Sequence, residues 1–290
     1  MTTAPPPALT KPTTKPLPMP PGHERAPQKP ARVIKDRVAK EITPRIVYAA
    51  VEGFGKTSFV AFSEKPLILM ARGEAGYDTL LSAGRVPSVP AEPVESWTDL
   101  MGWLDHIIAN PVDIKTLGLD AIGGFERLCH EFVCDRDFKG DWGDKGFLSF
   151  HKGYGIASSE WIKMIQKLDQ INAKGITVVL LSHTKVKTVP NPAGADYQKY
   201  ASDVHETTWN VTARWADAVL FGTFFVDVKG RADAPKAGKA TGGNERHVYT
   251  GENAVMPSKT RYGMDPLIVL PPDPALSWGT VWEQINRKAA

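Results

Sequence analysis

Residues 45–57 of the chain read RIVYAAVEGFGKT and join a short apolar run to a loop that contains two glycines. The apolar run, Arg45–Ala50, is typical of a buried strand, and a helix is expected to begin near Thr57. The loop follows the phosphate-binding pattern Gly-x4-Gly-Lys-Thr, with Ala50 in place of the first glycine. Because the motif stands between a strand and a helix, as its chemistry requires, the sequence predicts a nucleotide-binding α/β domain.

The glycines of this loop allow successive backbone N–H groups to turn toward one anion, and the following helix adds its positive end. Lys56 is expected to reach the β- and γ-phosphates of ATP, and the hydroxyl of Thr57 is expected to bind Mg²⁺. The predicted nucleotide-binding residues are Glu52, Gly53, Phe54, Gly55, Lys56, Thr57 and Ser58.

A magnesium site beside such a loop also needs an acid at the end of a neighbouring strand. Asp120 ends the apolar run TLGLD, so we predict that Asp120 and Thr57 hold the metal together. Since an alanine follows Asp120, the carboxylate that orients the attacking water has to come from elsewhere. Glu74 is the preferred candidate, and Glu52 and Glu126 are the alternatives.

A further apolar run, residues 176–181, ends in Leu-Ser-His, and His183 is predicted to sense the γ-phosphate. The segment that follows interleaves lysines with aromatic residues. This combination suits single-stranded DNA, which offers both phosphates and exposed bases. An ordinary packed surface loop is the alternative interpretation. The predicted DNA-binding residues are Lys185, Lys187, Tyr197, Lys199 and Tyr200.

Short apolar runs alternate with amphipathic stretches along the body of the chain. Further strands are predicted at residues 66–70, 116–120, 176–181, 216–226, 248–249 and 267–270, and further helices at residues 97–109, 125–138 and 158–173. This alternation predicts an α/β fold with a mostly parallel sheet, followed by smaller C-terminal β elements.

The first 40 residues differ in composition from the rest. They hold eight Lys/Arg against two acids, and ten of the 24 prolines lie within the first 30 positions. We therefore predict a disordered, Pro-rich basic tail over residues 1–40 and one domain over residues 41–290. The tail is expected either to contact nucleic acid or an acidic partner weakly, or only to keep the protein soluble.

The composition excludes several classes of protein. With 42% hydrophobic residues the chain can build a sizeable core, but no apolar run approaches the roughly 18–20 residues of a membrane span. The N-terminus lacks the apolar stretch of a secretory signal peptide. Two cysteines, Cys129 and Cys134, exclude a disulfide scaffold and fit a reducing cytoplasm.

The phosphate-binding loop, Asp120 and the Leu-Ser-His strand end together resemble the RecA-like core. They are similar to the phage-encoded ATPase family that includes the Sak-type single-strand annealing proteins. Residues 183–221 are the most specific part of the resemblance, and the element KTRYG at residues 259–263 resembles a late basic element of that family. The resemblance implies a three-layer core, ATP and Mg²⁺ as ligands, and DNA-stimulated hydrolysis. It also implies that Glu74 activates water and that Lys259 and Arg261 reach the nucleotide of a neighbouring subunit.

The function expected from this resemblance is ATP-dependent binding of single-stranded DNA that promotes annealing or recombination of phage DNA in the cytoplasm of the infected bacterium. The expected partners are single-stranded DNA, further copies of the chain in a ring or filament, and a single-stranded-DNA-binding protein. Two alternatives remain open: an ATP-dependent switch or loader that acts on a partner protein without binding DNA, and a RecA-like helicase motor.

Overall fold

The computed structural model describes residues 43–110, 112–192, 194–231 and 234–287, so the predicted tail over residues 1–40 lies outside the described residues. The strands are β1 (Arg45–Ala50), β2 (Pro66–Ala71), β3 (Ala91–Val94), β4 (Thr116–Asp120), β5 (Thr177–Ser182), β6 (Thr184–Val189), β7 (Tyr197–Ser202), β8 (Ala218–Arg231), β9 (Ala234–Tyr249), β10 (Lys259–Thr260) and β11 (Leu267–Leu270). The helices are α1 (Lys56–Ala61), α2 (Gly76–Ser82), α3 (Trp97–Ala109), α4 (Ile122–Phe138), α5 (Lys152–Asn172), α6 (Glu206–Trp215) and α7 (Ser277–Asn286), with short 3₁₀ turns at Ser149–His151 and Pro274–Leu276.

In the part of the chain that the structure describes, nine strands form one sheet in the order β11-β9-β8-β1-β5-β4-β2-β3, and β10 pairs with the start of β8. The strands from β3 to β8 in this order run parallel. The last three strands, β9, β10 and β11, extend the sheet in antiparallel fashion. This topology confirms the predicted α/β class, with a mostly parallel sheet and C-terminal β elements.

Apolar side chains cover both faces of the sheet. Because side chains alternate along a strand, Val47 packs toward α3, α4 and α5, whereas its neighbours Ile46 and Tyr48 pack toward α1 and α7. On the first side the indoles of Trp97 and Trp161 stack at 5.9 Å between α3 and α5. The result is the predicted three-layer arrangement. None of the described helices combines the length and apolar character needed to cross a membrane.

A close approach between helix and sheet sets the height of α1 above β4. A Cβ atom added at Gly118 would lie 2.5 Å from Cγ1 of Val60, a separation that side chains do not tolerate. Glycine at this position therefore lets α1 lie close against β4. The same approach brings the first turn of α1 close to Asp120, where β4 ends.

The carboxyl ends of the parallel strands meet at one edge of the sheet, where ligands of open α/β sheets usually bind. The phosphate-binding loop follows β1 at this edge, and Asp120 ends β4. Glu74 follows β2, and His183 follows β5. The topology thus collects four segments that are far apart in the chain into one region.

Candidate nucleotide-binding site

A cavity of about 470 Å³ lies at the carboxyl edge of the sheet. The loop between β1 and α1 forms its floor, and Gly53 and Gly55 have φ angles of 71° and 100°. These left-handed conformations are unfavourable for residues that carry a Cβ, so the loop shape depends on both glycines. Every predicted nucleotide-binding residue lines this cavity: Glu52, Gly53, Phe54, Gly55, Lys56, Thr57 and Ser58.

The ammonium of Lys56 lies under the loop, and the residue is only 8% exposed. Its Nζ donates to the backbone carbonyl oxygens of Ala50 at 3.1 Å and Val51 at 3.4 Å. Burial lowers the pKa of Lys56, and the nearby carboxylates, Asp120 first among them, oppose that shift. A cation held in the loop with carbonyls as its bonded partners is well placed to receive a phosphate.

Thr57 and Asp120 meet beside this lysine. The Thr57 hydroxyl donates to Oδ2 of Asp120 at 2.6 Å, and Asp120 is almost fully buried. Burial raises the pKa of Asp120, while the hydrogen bond from Thr57 lowers it. One hydroxyl and one carboxylate oxygen, adjacent at a phosphate-binding loop, are the hard oxygen donors that Mg²⁺ takes alongside phosphate oxygens. The side chains present therefore fit the predicted metal.

Glu74 and His183 form a second polar pair on the wall of the cavity. Nε2 of His183 lies 3.6 Å from Oε1 of Glu74. The Glu74 carboxylate raises the pKa of His183, and burial opposes this. In the same way the imidazole lowers the pKa of Glu74. The pair links the predicted water-activating residue to the predicted phosphate sensor.

Replacing Glu74 with glutamine is expected to lower the pKa of His183. The carboxylate that raises it disappears, while burial and the charge of Lys56, which both lower it, remain. In the wild type the lowered pKa of Glu74 sets the lower pH limit of the ion pair, below the ordinary glutamate pKa. The raised pKa of His183 sets the upper limit, above pH 6.5, and the ion pair is lost as the pH rises through it. An NMR titration of the His183 ring in both proteins measures the change. Equal pKa values in both would contradict the pairing.

The three candidates for the water-activating carboxylate lie in different places. Glu74 and Glu52 both line the cavity. Glu126 does not line it. Both of its carboxylate oxygens instead accept the backbone N–H of His205 at 2.9 Å, next to the start of α6. The geometry therefore leaves two of the three candidates at the site, of which Glu74 is the one paired with His183.

Phe54 anchors the loop rather than offering its ring to solvent. The ring is fully buried and packs edge-on against Tyr48 at 6.2 Å and Phe224 at 5.6 Å. Phe54 thus fastens the loop to β1 and β8, which supports the positions of the neighbouring glycines.

Lys259 and Arg261 lie at the opposite edge of the sheet from this cavity. Lys259 pairs with Val219 at the start of β8, which is level with the start of β1. Arg261 donates to Oδ1 of Asp217 at 2.7 Å and to the carbonyl of Arg214 at 3.0 Å. The two cations do not line the cavity of their own subunit, so their predicted action on a neighbour's nucleotide stays a prediction.

The predicted DNA-binding residues lie on the hairpin of β6 and β7, which begins directly after His183. The register places Lys187 opposite Lys199 and Val189 opposite Tyr197. Opposed residues share a face, and so do alternate residues on one strand. One face, here named the basic face, therefore carries Lys185, Lys187, Tyr197 and Lys199.

Tyr200 lies on the other face of the hairpin, opposite Val186. Its ring packs against Phe221 of β8, with the ring centres 4.8 Å apart. Tyr200 therefore lies off the basic face, because it stands an odd number of positions from both Tyr197 and Lys199 along the strand. It nevertheless lines the same groove as Lys185, Lys187 and Lys199.

Several cavity residues come from segments that carry no motif. They are Gly76, Leu80 and Arg85, which follow Glu74 in the chain, Phe224 on β8, Asn244 and Arg246 on β9, and Pro272 and Pro274 after β11. No apolar periodicity marks the residues after Glu74, because α2 is short and buries a single side chain. The others have no local signal, because they reach the loop only through the pairing of β1, β8, β9 and β11 across the sheet.

Comparison with known proteins gives one family match. The profile of the AAA domain family matches residues 42–262, which is most of the chain. No curated protein matches the sequence. The crystal structure of a KaiC-like protein from the hyperthermophilic archaeon Pyrococcus horikoshii OT3 aligns with 79% of this chain and 90% of its own, at 12% identity and a TM-score of 0.36. A likeness this distant adds nothing to the topology described above.

Proposed function

This chain belongs to the AAA domain family and is a P-loop ATPase, and we propose that it hydrolyses ATP with Mg²⁺ and couples the nucleotide to binding of single-stranded DNA. The hydrolytic half of the proposal rests on the juxtaposition of Lys56, Thr57, Asp120 and Glu74 at one cavity. The DNA-binding half rests on the basic face of the hairpin that follows His183.

In the proposed reaction Lys56 neutralises the phosphate chain, and the glycines of the loop allow its backbone N–H groups to face the phosphates. Thr57 and Asp120 would hold Mg²⁺, which supplies positive charge to the phosphate oxygens when bound. Glu74 orients the attacking water and accepts its proton, since its lowered pKa keeps the carboxylate ionised at neutral pH. His183 keeps that carboxylate in place.

The basic face of the hairpin is the observation that supports a nucleic-acid ligand. Lys187 and Lys199 stand directly opposite each other across the two strands, and such like-charged pairs repel unless an anion lies between them. Their face borders a groove of about 440 Å³ that Trp209 of α6 also lines. Phosphates beside the lysines and bases against the exposed Tyr197 ring would use both features. Glu206, which lies 3.4 Å from Lys187, supplies the local counter-charge that DNA would displace.

Removing both opposed lysines, in the double variant Lys187→Ala with Lys199→Ala, is expected to weaken binding of a single-stranded oligonucleotide on the order of tenfold or more at low salt. The slope of log K against log[salt] is expected to fall by about 0.7 for each phosphate that no longer pairs with a lysine. Fluorescence anisotropy of a labelled oligonucleotide measures both quantities.

The matched control is the double variant Lys163→Ala with Lys167→Ala, which removes two lysines of α5 that pair with Glu160 and Asp105. This control variant loses the same amount of positive charge, but at a position outside the hairpin. Its affinity for DNA should therefore stay close to that of the wild type. If both double variants bound DNA equally weakly, the loss would come from the change in net charge and not from the basic face. No salt-sensitive binding by the wild type would favour the switch or loader that acts on a partner protein.

Beyond DNA binding, we propose that the protein promotes annealing or recombination as a homo-oligomer, in the manner of the Sak-type phage ATPases that its motifs resemble. A single-stranded-DNA-binding protein is the further partner proposed, and the cytoplasm of an infected bacterium is the proposed location. Electron microscopy with and without ATP and single-stranded DNA tests the assembly. ATP-driven strand unwinding would identify a helicase motor instead.

A further inference from the structure

Arg246 is a buried cation beside the phosphate-binding loop, although it lies almost 190 positions further along the chain. It stands on β9, opposite Phe224 of β8 and Leu270 of β11, and is 7% exposed. Val248, two residues further on the same strand, belongs to the core between the sheet and α1. Alternation along the strand therefore places the Arg246 side chain on the α1 face, at the level of the loop.

The guanidinium touches the loop itself. Its carbon atom lies 6.0 Å from the centre of the Phe54 ring, within the range of a cation–π interaction. A Cβ atom added at Gly55 would lie 3.5 Å from one of its terminal nitrogens. Arg246 also lines the same cavity as Lys56 and Thr57. The side chain is thus positioned at the point where the loop passes into α1.

The partners of Arg246 do not neutralise it. Among the described residues no carboxylate oxygen lies within 4.0 Å of its guanidinium, the distance that defines an ion pair. One terminal nitrogen donates to the carbonyl of Pro271. Arginine carries five N–H donors and stays charged at every relevant pH. Within the described part of the chain, the Pro271 carbonyl is the one protein acceptor of the guanidinium, so most of its donors remain available. A buried cation without an anion is unfavourable, and a bound anion would remove that cost.

We propose that Arg246 binds a phosphate group of the nucleotide, so that the antiparallel extension of the sheet forms one wall of the ATP site. This inference rests on the proposed ATP site and adds a residue that the loop motif does not contain. A guanidinium matches phosphate oxygens with two parallel N–H bonds, whereas an ammonium acts as a point charge. The cavity would then present cations from two sides, Lys56 from the loop and Arg246 from β9.

The test compares ATP and ADP affinities of the wild type, Arg246→Gln and Arg246→Lys by isothermal titration calorimetry. Glutamine keeps a donor for the Pro271 carbonyl but removes the charge. Arg246→Gln is therefore expected to weaken the binding of both ATP and ADP on the order of 10- to 100-fold. Lysine is expected to restore part of that affinity, because it keeps the charge without the two-pronged geometry. Wild-type affinity in the Gln variant, or a Lys variant no better than Gln, overturns the proposal.

Two further measurements make the outcome decisive. Arg214→Gln, an exposed arginine of α6, is the matched control and should bind ATP like the wild type. Should the Gln variant fail to fold, hydrogen exchange of the wild type with ATP replaces it. ATP is then expected to slow hydrogen exchange at residues 244–247 as well as at residues 53–58, and slower exchange at residues 53–58 alone overturns the proposal.

The results also separate this inference from the proposed ATP site on which it rests. If the wild type binds no ATP, the proposed ATP site fails. If Lys56→Ala abolishes ATP binding but Arg246→Gln does not weaken it, only this inference fails.

Discussion

Replacing Lys56 with alanine is expected to abolish the thermal stabilisation that Mg·ATP gives the wild-type protein. Lys56 is the buried cation of the loop, and without it a tetra-anion loses its principal counter-charge. A ligand at 100 times its Kd stabilises the folded state by about 2.7 kcal/mol. For a domain of this size that corresponds to a rise in Tm of about 5–10 °C. Differential scanning fluorimetry with and without Mg·ATP measures it.

Lys163→Ala provides the matched control for this experiment. Lys163 is an exposed lysine on α5 that pairs with Glu160, so its replacement removes the same charge without touching the cavity. This variant should keep the full stabilisation by Mg·ATP. If Lys56→Ala were stabilised as much as the wild type, the loop would not be the phosphate site.

Replacing Arg261 with alanine is expected to leave ATP binding unchanged and to reduce hydrolysis by a factor on the order of 10³, the usual worth of an arginine supplied in trans. Arg261 follows β10, which pairs with the start of β8, whereas the loop follows the end of β1. About five strand residues separate the two levels by about 15 Å. The side chain therefore acts on a neighbour's nucleotide or on none.

Mixing Arg261→Ala protein with Lys56→Ala protein is expected to restore part of the activity, because some interfaces then pair an intact loop with an intact arginine. The matched control is Arg287→Ala. Arg287 is about half exposed and bound to Asp265 at 2.8 Å, as Arg261 is bound to Asp217 at 2.7 Å. Unimpaired hydrolysis in Arg261→Ala would contradict the shared site. So would mixed oligomers with no more activity than the separate variants.

The parallel strands and the loop could be predicted from the sequence because their signals are local. Strands β1 and β4 are buried along their length and appear as continuous apolar runs, and both coincide with the predicted bounds. Helix α3 also coincides with its predicted bounds, because Ser96 caps its start by accepting the N–H of Asp99. The loop motif carries its own chemistry, so its residues could be named before the fold was known.

Other elements could not be predicted because their residues have no local periodicity. Strand β3 is a four-residue edge strand with a proline, and α2 is a seven-residue helix with one buried side chain. The hairpin of β6 and β7 is largely exposed and polar, so its alternation of basic residues does not register as apolar patterning. Arg246 reaches the loop only through antiparallel pairing of β8 with β9, which no short window of sequence reveals.

A single residue, His183, separates β5 from β6, and the N–H of Asp203 donates to its carbonyl at 3.1 Å where the hairpin returns. Side chains alternate between the two faces of a strand, so the number of residues between β5 and β6 determines which face of the hairpin carries the lysines. Inserting one residue there would turn the basic face over, whereas changes at the tip, around residues 190–196, would leave it in phase. Length variation among natural relatives should therefore collect at the tip and spare the junction, even where the lysines themselves drift in position.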